Sequence, residues 1–303
     1  ECEEVVSKVV EVINEDNYDK ILKMINLPNG IILVTGATGT GKSTTVYSIL
    51  QRLNKEEANI ITVEDPVEMD LPGINQVQVN SEIGLTFANV LRSILRQDPD
   101  IIMIGEIRDD ETATIAVRAS VTGHLVLSTL HTNNSLNTIE RLLDMDVERY
   151  LLAASLAGII SQKLAKKLCP YCKKKVTPTP YEKYIFKKNL NADINEIYVA
   201  GDGCDHCMNG YRGRIAIHEV LLIDENIRDA ISNSVKKEEF RNLVYSENIH
   251  TLLQDGLIKV AQGLTTFEEI IKLIELDVED IIIDKNANNE NSDEENNENI
   301  AQN

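Results

Sequence analysis

Hydrophobic positions alternate between two kinds of block along the first half of the chain. Ile31-Ile32-Leu33-Val34, Asn59-Ile60-Ile61-Thr62-Val63, Ile101-Ile102-Met103-Ile104 and Leu125-Val126-Leu127 are short strings, β-branched and nearly all apolar. Between them, residues 43–53 and 86–95 carry apolar side chains at helical spacing, and 111–119 reads as a further helix. Apolar strands separated by helices predict a parallel sheet covered on both faces, an α/β fold. Residues 136–164, rich in Leu, Ala and Ile, read as two helices, and 229–274 returns to an amphipathic helical pattern. No internal repeat is visible.

Two stretches break the pattern. Between Lys163 and Lys188 nine lysines face one acid, Glu182, and Thr177-Pro178-Thr179-Pro180 interrupts any helix. From Asp284 onward Asn, Glu, Asp and Ser dominate, a composition too polar to offset its ordering entropy, so a disordered tail is expected. The 303 residues, 43% hydrophobic, suffice for one large or two ordinary domains. A formal net charge of -19 repels polyphosphate backbones and argues against a general nucleic-acid binder. The longest apolar run, 151–160, falls short of the roughly 18 residues of a spanning helix, so any membrane role is expected to be peripheral. The chain opens on Glu1 with no charged-then-apolar leader; a fragment of a longer protein without a signal peptide is the expectation.

Chemistry enters at two places. Gly36-Ala37-Thr38-Gly39-Thr40-Gly41-Lys42-Ser43 matches GxxxxGK[ST], follows a predicted strand and opens a predicted helix. In that context the glycines turn backbone N–H groups onto phosphates, Lys42 reaches the β- and γ-phosphates, and Ser43 offers a hydroxyl to Mg²⁺. The expected nucleotide contacts are therefore Gly36, Thr38, Gly39, Thr40, Gly41, Lys42, Ser43 and Thr44. Glu64 and Glu106 stand where the second and third strands stop, and carboxylates at neighbouring parallel strand ends face the ligand crevice of an open sheet. Arg92, Arg96, Arg108, Arg212 and Arg214 are candidates for stabilising phosphoryl charge or for subunit contacts. The second place is the pair of CxxC motifs, Cys169/Cys172 and Cys204/Cys207, separated by 31 residues, with Cys2 apart. Four thiolates at this spacing suit a closed tetrahedral Zn²⁺ in a reducing cytoplasm, with redox-active thiols or unrelated buried cysteines as the alternatives and His206 as a competing ligand.

The strings 61–68, 91–100, 105–109 and 122–132 resemble the Asp box, Walker B region and His box of the type II secretion and type IV pilus assembly ATPases, and 253–266 continues the similarity. The resemblance implies a RecA-like P-loop core with a zinc-binding insert and a helical C-terminal region. It also implies a homo-hexameric motor that hydrolyses ATP with Mg²⁺ at the cytoplasmic face of a bacterial inner membrane and docks on an inner-membrane platform protein. Nucleic acid is not an expected direct partner. On this reading Glu64 orients the attacking water, Glu106 serves Mg²⁺ directly or from the second shell, His131 and His124 sense the γ-phosphate, and Arg212 and Arg214 tend toward a subunit interface. Gly105 departs from the generic plan by standing where a Walker B Asp is usual. The expected segments are a remnant of an N-terminal domain at 1–29, the ATPase core at 30–165, the insert at 166–215, the helical region at 216–283 and the tail at 284–303. Retraction or DNA-uptake motors, a DNA translocase and a non-hydrolysing nucleotide-gated scaffold remain as alternatives. The tetracysteine insert argues against retraction and the net charge against DNA.

Overall fold

The computed structural model describes residues 13–245 and 249–275. Asn14 caps helix α1 (Glu15–Ile25) by accepting the Asn17 N–H, and the chain then enters β1 (Gly30–Thr35). Helix α2 (Lys42–Leu53) follows the glycine-rich loop and leads to β2 (Ile60–Glu64) and the short β3 (Asn75–Gln78). Thr86 and Asp109 side chains cap the next two helices, α3 (Phe87–Ile94) and α4 (Asp110–Val121), on either side of β4 (Ile101–Ile104). Strand β5 (Leu125–Leu130) then precedes α5 (Ser135–Asp144) and α6 (Arg149–Ser155).

Strands β1, β2, β4 and β5 are buried at every position, as strands covered on both faces must be. Successive side chains go to opposite faces. Ile31 and Leu33 therefore join a core with α3, α4 and α5, while Ile32 and Val34 join a second core with α1 and α2.

Residues 156–168 are the main departure from the expected pattern. The second expected helix ends at Ser155, and β6 (Leu156–Leu168) runs for 13 residues beside β1. Gly158 explains part of this: a Cβ there would lie 2.3 Å from Met24 Cε and 2.7 Å from the Leu221 carbonyl oxygen, so the strand passes α1 and its neighbour too closely for a side chain. The sheet order is β3-β2-β4-β5-β1-β6-β9, parallel through β6 and closed by antiparallel β9 (Tyr211–Leu222).

β6 and β9 form a long ribbon that crosses the boundaries expected at 165/166 and 215/216. The segment between them holds β7 (Lys174–Val176), α7 (Pro180–Leu190) and β8 (Ile197–Val199). The amphipathic pattern over 229–274 resolves into α8 (Glu225–Asn233), α9 (Lys237–Val244), α10 (Leu252–Ala261) and α11 (Phe267–Glu275). A third core joins Phe186 and Ile197 of the insert to Ile215 and Ile217 of β9 and to Leu257, Val260 and Ile270 of α10 and α11.

Part of the basic stretch is paired within the fold. Lys166, Lys174, Lys175 and Lys187 pair with Glu269, Asp202, Glu196 and Asp193, and the Lys163 and Lys173 ammonium groups donate to the Leu273 and Gly263 carbonyls. The expected tail from 284 lies outside the described residues. Among those described, no helix is long and apolar enough to cross a membrane.

Candidate functional site

The glycine-rich loop joins the buried end of β1 to the N-terminus of α2. Gly36 has φ +150°, and a Cβ there would meet the Gln162 carbonyl oxygen at 2.4 Å, so both its conformation and its surroundings require glycine. Gly41, left-handed at φ 86°, caps the helix that Lys42 opens. Gln162 of β6 braces the loop from the far side: its Nε2 donates to the Thr40 carbonyl at 2.6 Å and its Oε1 accepts from Thr45 Oγ1 at 2.8 Å. Lys42 Nζ donates to the carbonyls of Gly36 and Ala37 at 3.0 and 3.1 Å. Burial lowers its pKa from the ordinary lysine value, opposed by the charges of Glu106 and Glu68.

The loop floors a cleft of about 750 Å³ whose wall includes Thr38, Thr44, Glu64, Glu106, His131 and Gln162. Glu64 is the last residue of β2 and only 3% exposed. Its carboxylate accepts from the Tyr47 hydroxyl, from Thr62 Oγ1 at 2.6 Å and from Gln76 Nε2 at 3.0 Å. Ser43 Oγ donates to Glu68 Oε1 at 3.0 Å. Glu106 accepts from Arg108 and lies 3.4 Å from His131 Nε2. The Arg108 hydrogen bond holds the Glu106 carboxyl below the usual range against its burial, helped by His131 and Lys42. At position 105 a Cβ would come within 3.3 Å of Glu64 Cα and of the Val63 carbonyl, which leaves little room for the usual Asp.

The structure does not bring every candidate here. His124 precedes β5 whereas His131 follows it, so the six-residue strand, about 20 Å long at ~3.3 Å per residue, separates them. His124 Nδ1 lies instead 2.9 Å from the Ala119 carbonyl. Arg92 is exposed on α3 and pairs with Glu111 of α4, outside the cleft wall. Arg108 is outside the cleft wall too, but it pairs with Glu106 and lies 3.8 Å from Asp65, both of which line it. Arg214 lines the same chain's cleft, 3.5 Å from the Gly39 carbonyl, rather than pointing only toward a neighbour. Tyr47, Gln76 and Gln162 were missed by sequence reasoning. Reading 156–168 as a strand would have exposed Gln162; nothing local marks the other two.

The four cysteines meet where the ribbon ends. Cys169–Cys204, Cys172–Cys207 and Cys204–Cys207 Sγ separations are 3.7, 3.6 and 3.6 Å, and all four sulfurs lie within 4.8 Å of one another. Tetrahedral zinc with ~2.3 Å Zn–S bonds requires sulfurs about 3.8 Å apart, so the donor set fits that ion. His206 packs against Tyr171 at a tilt of 39°, with ring centroids 4.5 Å apart, outside the four-cysteine group.

A parallel sheet whose first strand runs into GxxxxGKS at a helix N-terminus, with carboxylates at the ends of β2 and β4, which pair with each other, defines a P-loop nucleotide-binding fold. Residues 9–272 match the family described as Type II/IV secretion system protein, and the chain belongs to it. It is 50% identical over 253 residues to the putative type II secretion system protein E of Escherichia coli K12, covering 82% of this chain and 50% of that relative. Against the type II secretion system ATPase E of Vibrio cholerae the identity is 46% over 85% of this chain and 51% of the relative. Against the type IV pilus assembly ATPase PilB of Thermus thermophilus it is 47% over 84% and 29%. Among solved structures, that of the pilus retraction motor PilT with bound ADP superposes with a TM-score of 0.64 at 32% identity, covering 86% of this chain and 67% of that one. The chain spans about half the length of the first two relatives.

Proposed function

We propose that this chain is the catalytic part of a cytoplasmic ATPase that works as a hexamer against an inner-membrane platform and powers assembly of a type IV pilus or type II secretion pseudopilus. The observation that carries the reading is the convergence of Lys42, Glu64 and Glu106 on one cleft beneath the glycine-rich loop. In this reading Lys42 exchanges its two loop carbonyls for the β- and γ-phosphates of ATP. Ser43 and Glu106 are the groups suited to hold Mg²⁺, which when bound neutralises phosphate charge. A water oxygen bonds to the γ-phosphorus, the bridging P–O bond breaks with its electron pair leaving on ADP, and Glu64 receives the water proton. The proximity of His131 to Glu106 supports a role in following the γ-phosphate, and on this reading Arg214 in the cleft wall and Arg108 beside Glu106 supply positive charge. Cys169, Cys172, Cys204 and Cys207 would hold a structural zinc.

Assembly is favoured over retraction by the cysteine cluster and by higher identity to the secretion and pilus-assembly relatives than to the retraction motor. The net charge of -19 and the internal pairing of the lysine stretch weigh against DNA translocation.

A ring motor completes its site with a neighbour's arginines, so phosphate release per chain should climb steeply with concentration as light scattering reports assembly. A rate per chain that stays flat while assembly proceeds would overturn the ring reading.

A further inference from the structure

The Glu64 carboxylate is held in a way that the roles given above do not use. Tyr47 lies on α2, the helix that Lys42 opens, and is 1% exposed. Its hydroxyl has two partners of opposite kind. The Glu68 backbone N–H reaches it at 3.3 Å and can only donate, so the single phenolic proton is directed to Glu64 Oε2. Burial, together with the Glu64 carboxylate, raises the pKa of the phenol and keeps it a donor.

The other oxygen, Oε1, takes Thr62 Oγ1 and Gln76 Nε2. The Gln76 amide cannot turn around, because its own Oε1 accepts the Leu71 N–H at 2.7 Å while Nε2 also donates to the Met69 carbonyl at 3.1 Å. Two donors fill the lone pairs of Oε1, and one donor leaves Oε2 a single free lone pair. Glu68 extends the chain of contacts to the P-loop, since its carboxylate accepts from Ser43 Oγ.

From this we infer that Tyr47 is a positioning residue for hydrolysis: its phenol, steered by Glu68, locks the Glu64 carboxylate so that one lone pair of Oε2 is left to receive the proton of water. The inference rests on the reading of Glu64 as the base. A carboxylate free to turn would share its basicity among orientations that do not meet the water, and small misplacements of this kind are expensive. Ser43, Glu68, Tyr47 and Glu64 thus tie the hydroxyl suited to Mg²⁺ to the carboxylate that takes the proton, through named hydrogen bonds.

The test uses the assembled protein, with Tyr47→Phe, Thr62→Val, Glu64→Gln and the double variant Tyr47→Phe/Glu64→Gln, read as kcat, KM for ATP and ADP affinity. Tyr47→Phe keeps the buried ring and removes only the hydroxyl; Thr62→Val removes a different donor to the same carboxylate. Each should lower kcat about 10- to 100-fold while KM and ADP affinity stay within about twofold of wild type. In the Glu64→Gln background Tyr47→Phe should add no further loss, because both act through one group. If Glu64→Gln slows turnover and Tyr47→Phe leaves kcat unchanged, the positioning role is overturned and the base assignment stands. The role is also overturned if Tyr47→Phe costs as much in the Glu64→Gln background as alone. If Glu64→Gln itself keeps wild-type turnover, the base assignment fails, and this inference with it.

Discussion

Single residues carry unequal burdens in this chain, and the buried polar ones are the most exposed to challenge. Lys42 and Glu64 are desolvated beside groups that satisfy them, so each meets the cleft with its partners already in place. His218, in the middle of β9, is different: it is fully buried, and both ring nitrogens are without a hydrogen-bond partner among the described residues. The polar groups around it are the Asp255–Lys259 ion pair of α10, whose Asp255 also accepts the His218 N–H, and Asn17 of α1. Burial, then the Lys259 charge, pushes the imidazole down to about 4, with Asp255 opposing. The unfolded histidine titrates near ~6.5, so between about pH 6.5 and 4 the unfolded chain binds a proton that the folded chain refuses. Proton linkage at His218 therefore contributes nothing above that window, and stability is lost as pH falls through it, by up to about 1.4 kcal/mol per unit. Denaturant melts from pH 7.5 to 4.5 should show a steeper fall for the wild type than for His218→Leu. Parallel curves would contradict the buried neutral imidazole.

At the scale of elements, the β6–β9 ribbon links the two places where chemistry resides. It carries Gln162 and, nearer its outer end, Arg214 to the glycine-rich loop, and at that end the Cys169 N–H donates to the Gly210 carbonyl at 2.9 Å beside the four sulfurs. Zinc there would fasten the ribbon end and the insert together. Freshly purified reduced protein should contain one zinc per chain, and a strong chelator should lower the melting temperature while ADP binding at Lys42 persists. Metal content near zero, or melting indifferent to chelation, would remove the zinc site. The ribbon was also the least legible element. Strands β1, β2, β4 and β5 announced themselves because burial on both faces demands continuous apolar strings, and the glycine-rich loop fell between two of these signals. Leu156-Ala157-Gly158-Ile159-Ile160 suits a buried helix as well as a strand by composition alone. What decides it is pairing with β1 on one side and with β9, some fifty residues later, on the other. The same long-range pairing sets the place of Gln162, and Tyr47 and Gln76 meet Glu64 only through the packing of α2 and β3 about β2.

For the whole molecule, three cores are joined by one sheet: one on each face, and a third that binds the insert to the C-terminal helices. The third core is why the insert and the helical region cannot be separated at residue 215: Ile215 and Ile217 of β9 pack with both. Packing thereby connects the C-terminal helices through β9 to Arg214 at the cleft. On the proposed function, ATP turnover divides into two separable acts, phosphate capture by Lys42 and proton acceptance by Glu64. The direct measurement is nucleotide binding and phosphate release, on the same preparations, for wild type, Lys42→Ala and Glu64→Gln. Lys42→Ala should lose most nucleotide affinity, whereas Glu64→Gln should bind ATP as wild type does and release phosphate at least about 100-fold more slowly. Wild-type phosphate release from Glu64→Gln, or undiminished nucleotide affinity in Lys42→Ala, would contradict the account.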